Sequence, residues 1–222
     1  MTEAEWLKCV EPMPMLEFLR GKISDRKLRL FGVACARRVS HLLADDRSRH
    51  AIEVAEQLAE GLVNEEERQE AFRSGMDVVI EKIHQPYGIA TTRAMAAYRP
   101  AFRQAMSAAL YAAESAASGA GRHGRPAAWG AQGRQHKEQV LLAQDIFGNP
   151  FRPVIIAPAW LSFTVVQLSQ AIYDERAFNT MPILADALED AGCNSFEILT
   201  HCRGSGEHAR GCWVIDLLLG KE

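Results

Sequence analysis

No apolar run in these 222 residues approaches the roughly 20 needed to span a bilayer, so the sequence offers no membrane-crossing helix. Charge of one sign is equally scarce. Lys and Arg total 25 against 28 Asp and Glu, giving a net charge of -3, and the pI lies near 6.2. That balance carries no overall nucleic-acid or membrane footprint. Cysteine is thin as well: five residues, an odd number, which argues against a disulfide framework. The opening Met1-Thr2-Glu3-Ala4-Glu5-Trp6 is acidic and lacks the regions of a secretory signal. These absences together imply a reduced, cytoplasmic protein without a membrane partner.

Period-two alternation is missing too, and so is any βαβ alternation, which argues against a doubly wound sheet. What is present is helical periodicity. Leu28, Phe31, Cys35 and Leu42 recur at helical spacing behind the cap candidate Ser24. Ala51, Val54, Ala55, Leu58 and Leu62 make a second stripe, closed by Gly61. Asn64 with Glu67 reads as a capping box for a third helix faced by Phe72, Met76, Val79, Ile80 and Ile83 and stopped at Gln85-Pro86. An alanine-rich stretch over 88–118, divided by Pro100, predicts a packed helical hairpin.

Residues 119–133 have loop composition, and a last amphipathic stretch runs from Gln135 to Phe147 before Gly148-Asn149-Pro150. Val154-Ile155-Ile156, between Pro153 and Pro158, predicts an extended connector rather than a sheet strand. Short helices follow: from Phe163 to Asp174, from Thr180 to Gly192 with Ile183, Leu184 and Leu188 inward, from an Asn194–Glu197 capping box to Gly204, and from Ser205 to Leu219. The expected fold is an all-α bundle of about eight to ten helices, with short C-terminal helices packed on a longer N-terminal bundle. Its expected parts are an N-terminal bundle (1–118), a Gly/Arg-rich loop or linker (119–133) and a C-terminal helical region (134–222) packed with the first as one unit.

Few residues carry chemistry. Gly119-Ala120-Gly121-Arg122-His123-Gly124 satisfies G-x-G-x-x-G, but an alanine-rich helix precedes it where a dinucleotide site needs a strand. Arg122, Arg125, Arg134 and Lys137, with Trp129 nearby, could hold single-stranded nucleic acid or another anion by charge and stacking. The overall negative charge and the lack of a recognition helix favour a solvated loop, which leaves nucleic acid a disfavoured partner. No G-x-S-x-G, H-E-x-x-H, Walker or kinase signature occurs.

The densest chemistry lies in the last thirty residues: Cys193, His201, Cys202, His208 and Cys212, around Gly204-Ser205-Gly206. If Ser205 starts the last helix, His208 and Cys212 share a face, and Cys193, Cys202, His208 and Cys212 could form a closed structural zinc site stapling three short helices. Against zinc stands the absence of a C-x₂₋₄-C knuckle. The plainer expectation is that the three cysteines pack as reduced core residues while Trp213, Ile215 and Leu219 anchor the last helix, with no cofactor needed. His201, at a helix C-terminus, is the more comfortably charged of the two histidines. A cysteine nucleophile with His201 or His208 as base remains an option, although adjacent His201 and Cys202 side chains diverge by about 100° on a helix.

Several stretches resemble a paralogue-rich family of uncharacterised bacterial proteins. They are Pro14-Met15-Leu16-Glu17-Phe18-Leu19-Arg20-Gly21, Asp145-Ile146-Phe147-Gly148-Asn149-Pro150-Phe151-Arg152-Pro153, Leu184-Ala185-Asp186-Ala187-Leu188-Glu189-Asp190-Ala191-Gly192-Cys193, and His201-Cys202-Arg203-Gly204 with Arg210-Gly211-Cys212-Trp213. Residues 184–203 are also weakly similar to bacterial repeat-companion helical domains. The resemblance implies an interaction module and no particular reaction. The expected function is therefore a non-enzymatic helical module whose partner is another protein; the alternatives are a zinc-stapled or cysteine-dependent enzyme and a nucleic-acid-associated regulator.

Overall fold

The computed structural model describes residues 1–82, apart from 39, 41, 42 and 44, and residues 127–221. Among the described residues there are ten α-helices, two 3₁₀ turns and no strand. The helices are α1 (Glu3–Leu7), α2 (Pro12–Leu19), α3 (Asp25–Arg38), α4 (Asp46–Ala59), α5 (Glu65–Lys82), α6 (Ala127–Phe147), α7 (Phe163–Glu175), α8 (Met181–Asp190), α9 (Phe196–Arg203) and α10 (Trp213–Leu219). None of them is long and apolar enough to cross a membrane. The chain divides into two compact units, Met1–Ala143 and Gln144–Glu222.

In the N-terminal unit, capping chemistry fixes the helix starts. Ser24 Oγ accepts from the Lys27 amide ahead of α3. Asn64 Oδ1 accepts from the Glu66 and Glu67 amides while the Glu67 carboxylate accepts from the Asn64 amide, the reciprocal capping box read from the sequence. The apolar stripe of α3 buries Leu28, Phe31 and Cys35, and α4 buries Ala51, Val54 and Ala55. Val33 and Ala36 of α3 meet Ile52 and Ala55 of α4 and Leu43 before it. Burying such side chains stabilises by about 25 cal/mol per Å² of apolar area removed from water. Leu62 departs from the expected stripe: α4 ends at Ala59, and Leu62 is exposed in the turn beyond it. Leu42, Ile83 and the stretch 88–118 lie outside the described residues.

The expected loop over 119–133 is corrected in part. Residues 119–126 lie outside the described residues, but α6 starts at Ala127 and carries Gly130 and Gly133 within it. Its two glycines cost about 1 kcal/mol each relative to alanine, while Ala127, Ala128 and Ala131, the best helix formers, add no such cost. Of the four basic residues singled out, Lys137 is exposed on α6 and Arg134 lies on the same helix, while Arg122 and Arg125 lie outside the described residues.

In the C-terminal unit, 152–160 is extended and ends in a 3₁₀ turn at Pro158–Trp160, as the proline spacing predicts. Ser162 caps α7 through the Val165 amide. The core joins Val165 and Ile172 of α7, Leu184 and Leu188 of α8, Ile198 and Cys202 of α9, and Ile215 and Leu218 of α10. Three expectations change here. Ile183 faces solvent rather than the core, because proline at the second position starts α8 with Met181 and Leu184 inward. Ser195 rather than Asn194 caps α9, its Oγ accepting from the Ile198 amide. The last helix begins at Trp213, not Ser205. Residues 204–212 form a loop whose turn at Gly211 takes φ +95°, a value that glycine adopts at little cost.

Candidate metal centre

That loop helps bring four donor side chains together at one place. The last turn of α6 supplies Asp145, the last turn of α9 supplies His201, the loop supplies His208, and Cys212 stands at the N-cap of α10. Asp145 Oδ1 lies 2.6 Å from His208 Nδ1 and 3.2 Å from His201 Nε2. Cys212 Sγ lies 3.1 Å from His201 Nε2 and 4.0 Å from His208 Nδ1. One donor atom from each residue falls within 4.8 Å of all the others. The second oxygen, Asp145 Oδ2, accepts from the Ala209 amide at 2.9 Å, which pins the loop to the end of α6.

The centre is buried. Side-chain exposure is 4% for Asp145, 6% for His208 and 18% for His201, and Cys212 is fully enclosed. Burial alone would raise the Asp145 carboxyl, but hydrogen bonds from His201 and His208, and their charge, hold it below the ordinary carboxylate value. Burial pushes the Cys212 thiol well above its ordinary value and the Asp145 charge adds to that, while the amides of Ile215 and Val214 pull the other way. Burial likewise pushes Cys202 up to about 12, with Cys193 and Asp145 adding and Arg203 opposing. A protonated, enclosed thiol is a poor nucleophile.

The directions of the rings decide what the cluster can do. In a nucleophile–base–orienter relay, the imidazole works through its two nitrogens in series, one toward the nucleophile and the other toward the carboxylate. Here the same nitrogen of His201 faces both Asp145 and Cys212, and the same nitrogen of His208 does so too. Four donors therefore aim at one shared point, and this argues against the cysteine-nucleophile reading. Tetrahedral zinc, with ligands at about 2.0–2.3 Å, needs donor–donor edges of about 3.3–3.6 Å. The four distances of 2.6, 3.1, 3.2 and 4.0 Å straddle that range. Closing the tetrahedron asks that the Asp145–His208 pair open by somewhat under 1 Å and the Cys212–His208 pair close by about half that, with the widest pair of the four donors now within 4.8 Å.

The second layer is specific. The His201 ring packs on the Trp213 indole with centroids 5.2 Å apart, and edge-on to His208 at 4.8 Å. Trp213 in turn lies over Gly148, where a Cβ would come 3.1 Å from the indole. Arg210 donates to the Tyr173 carbonyl at the end of α7, tying the middle of the loop to a second helix. His208 Nε2 is buried without a hydrogen-bond partner among the described residues.

The quartet expected from sequence spacing is thus corrected to Asp145, His201, His208 and Cys212. His208 and Cys212 belong to the centre; Cys193 and Cys202 do not, and are buried in the adjoining core with free thiols. Asp145 and His201 take their places. No family model, curated protein or solved structure matches the chain.

Proposed function

We propose that the chain is a non-catalytic helical module whose C-terminal unit is stapled by one divalent transition-metal ion, zinc by preference. The observation that carries this reading is the convergence of one carboxylate, two imidazole nitrogens and one sulfur on a single buried point. The donor set supports the choice of ion. Nitrogen and sulfur donors suit zinc and cobalt(II) and disfavour magnesium and calcium, which take oxygen. Asp145 as carboxylate and Cys212 as thiolate would balance a divalent charge, leaving no net charge to bury. Four protein donors close the coordination sphere, as structural sites do, whereas a catalytic zinc keeps one position for water or substrate. The ion would join the end of α6, the end of α9 and the start of α10, elements that share little sequence proximity.

All five cysteines are free, which fits a reducing, cytoplasmic setting for a thiolate ligand. A protein partner is favoured by Phe163 on α7 and Phe196 on α9, 81% and 76% exposed, the second on a helix that the ion would tie. The test is elemental analysis of protein purified without chelator. About one zinc per chain, absent from Cys212→Ser and Asp145→Asn, is the expected result; metal-free protein that also refuses added zinc and cobalt would refute the reading.

A further inference from the structure

The four donors do not share the same access to solvent, and the asymmetry has a chemical consequence. Asp145, His208 and Cys212 are enclosed, Asp145 being tied in addition to the Ala209 amide. His201 has the most exposed side chain of the four, 18% against 6% or less for the others, and it sits beside a run, 203–207, that is exposed at every residue. On the assumption that the centre holds a metal ion as proposed above, we infer that His201 is its exchangeable ligand, and that a small neutral nitrogen donor of the imidazole class can take its place at the ion. Three enclosed donors would remain without His201, one carboxylate, one imidazole and one thiolate. That is the number catalytic zinc sites retain when the fourth position is open.

The preference for a neutral donor follows from charge. Asp145 and the Cys212 thiolate already offset a divalent ion, so an anionic fourth ligand would leave a net negative charge in a site where charge is costly. A neutral donor would not. The face on which the exchange occurs is also set, because the Trp213 ring covers one side of His201 and the His208 ring lies edge-on to it. An incoming donor would reach the ion along the path His201 itself occupies. The same opening is the route by which ion and chelator would pass.

Chemical rescue in the cobalt-loaded full chain tests this. Cobalt(II) affinity and its visible absorption are measured for wild type, His201→Ala and His208→Ala, with and without millimolar imidazole or azide. The expected result is an affinity loss of at least roughly tenfold in both variants. Imidazole should restore most of it in His201→Ala only, with a tetrahedral cobalt spectrum, and azide should restore neither variant. If His201→Ala does not fold by circular dichroism, His201→Gln is read in the same way. Rescue of both variants, rescue of neither, or rescue of His201→Ala by azide as well as by imidazole would overturn the inference while leaving the ion in place. Wild type that binds no cobalt would instead remove the metal reading on which it rests.

Discussion

Each unit of this protein buries carboxylates, and each gives them different company. In the N-terminal unit Glu56 has a side chain 5% exposed and meets the Arg37 guanidinium at 2.9 Å; Glu60, with a side chain 8% exposed, meets Arg26 at 3.0 Å. In the C-terminal unit Asp145 meets two imidazoles and lies beside a thiol. The electrostatic problem is the same, since a buried charge must be paired. The solutions differ in what can leave. A guanidinium keeps its proton at any ordinary pH and presents no lone pair, so an Arg–Glu pair joins α3 to the end of α4 permanently. An imidazole or thiol can release a proton to solvent and give the freed lone pair to a metal ion. Pairing a carboxylate with histidines therefore builds a tie that can be made and unmade, and pairing it with arginine does not.

The largest expected effect separates the two units by metal. If the C-terminal unit depends on an ion, chelator should strip amide protection against hydrogen exchange from 196–219 while leaving α3 and α4 protected, because the N-terminal core contains no comparable cluster among its described residues. Asp145→Asn should reproduce this without chelator: the amide oxygen can still accept from Ala209, but the charge is gone. Equal loss of protection in both units would end the comparison.

The reciprocal experiment is Glu56→Ala. It strands Arg37, about two-thirds enclosed, without its carboxylate, and should cost roughly 2–3 kcal/mol in denaturant unfolding. Metal content should not change. A variant that lost bound zinc along with stability would mean that the N-terminal ion pairs and the centre are coupled.

How much of this was legible from sequence varies by residue. Ser24 and Asn64 announced their helices because a cap is local chemistry, read within four residues. Cys193, Cys202 and Cys212 were readable as buried because an isolated reduced cysteine behaves as a small apolar residue. His208 and Cys212 were legible as a pair, but for the wrong reason. Their approach comes from a glycine-bearing loop and not from a shared helical face. Asp145 was missed since it lies more than fifty residues before its partners, and contacts at that separation leave no periodic trace. One signal was available: an acidic residue one turn from the end of the apolar run at Val140, Leu142, Ala143, Ile146 and Phe147, on a stripe otherwise bound for the core. His201 stands outside the expected quartet; the sulfur it meets is not that of its neighbour Cys202 but one eleven residues on.

Gly148 offers a smaller perturbation of the second layer. It ends α6 with φ +66°, and an added methyl would press on the Trp213 indole that backs His201. Gly148→Ala should cost about 2 kcal/mol, part from the left-handed backbone and part from the contact. It should also weaken metal binding several-fold through displaced Trp213, which a substitution acting on the backbone alone would not do. Cobalt titration beside a thermal melt distinguishes the two.

The smallest effect compares the two units' cysteines directly. Cys35 is fully enclosed on α3; burial pushes its thiol up to about 12, only partly offset by the Arg38 charge and a backbone hydrogen bond. In the unfolded chain it would ionise near the ordinary value of 9.0. Between those values the native state holds a proton that the unfolded state has released, so stability must fall as pH rises. The contribution is fully present below about pH 9 and declines toward pH 12. Between pH 8 and 10 it amounts to roughly 1.4 kcal/mol. Cys35→Ala removes it: the variant is less stable at neutral pH because a buried side chain has been shortened, yet its denaturation midpoint should fall less steeply above pH 9 than that of wild type. Cys212 should behave differently wherever metal is bound, because a thiolate already held by an ion has no proton left to lose. Parallel alkaline slopes for wild type and Cys35→Ala would show that burial of this thiol does not govern the N-terminal unit's response to pH.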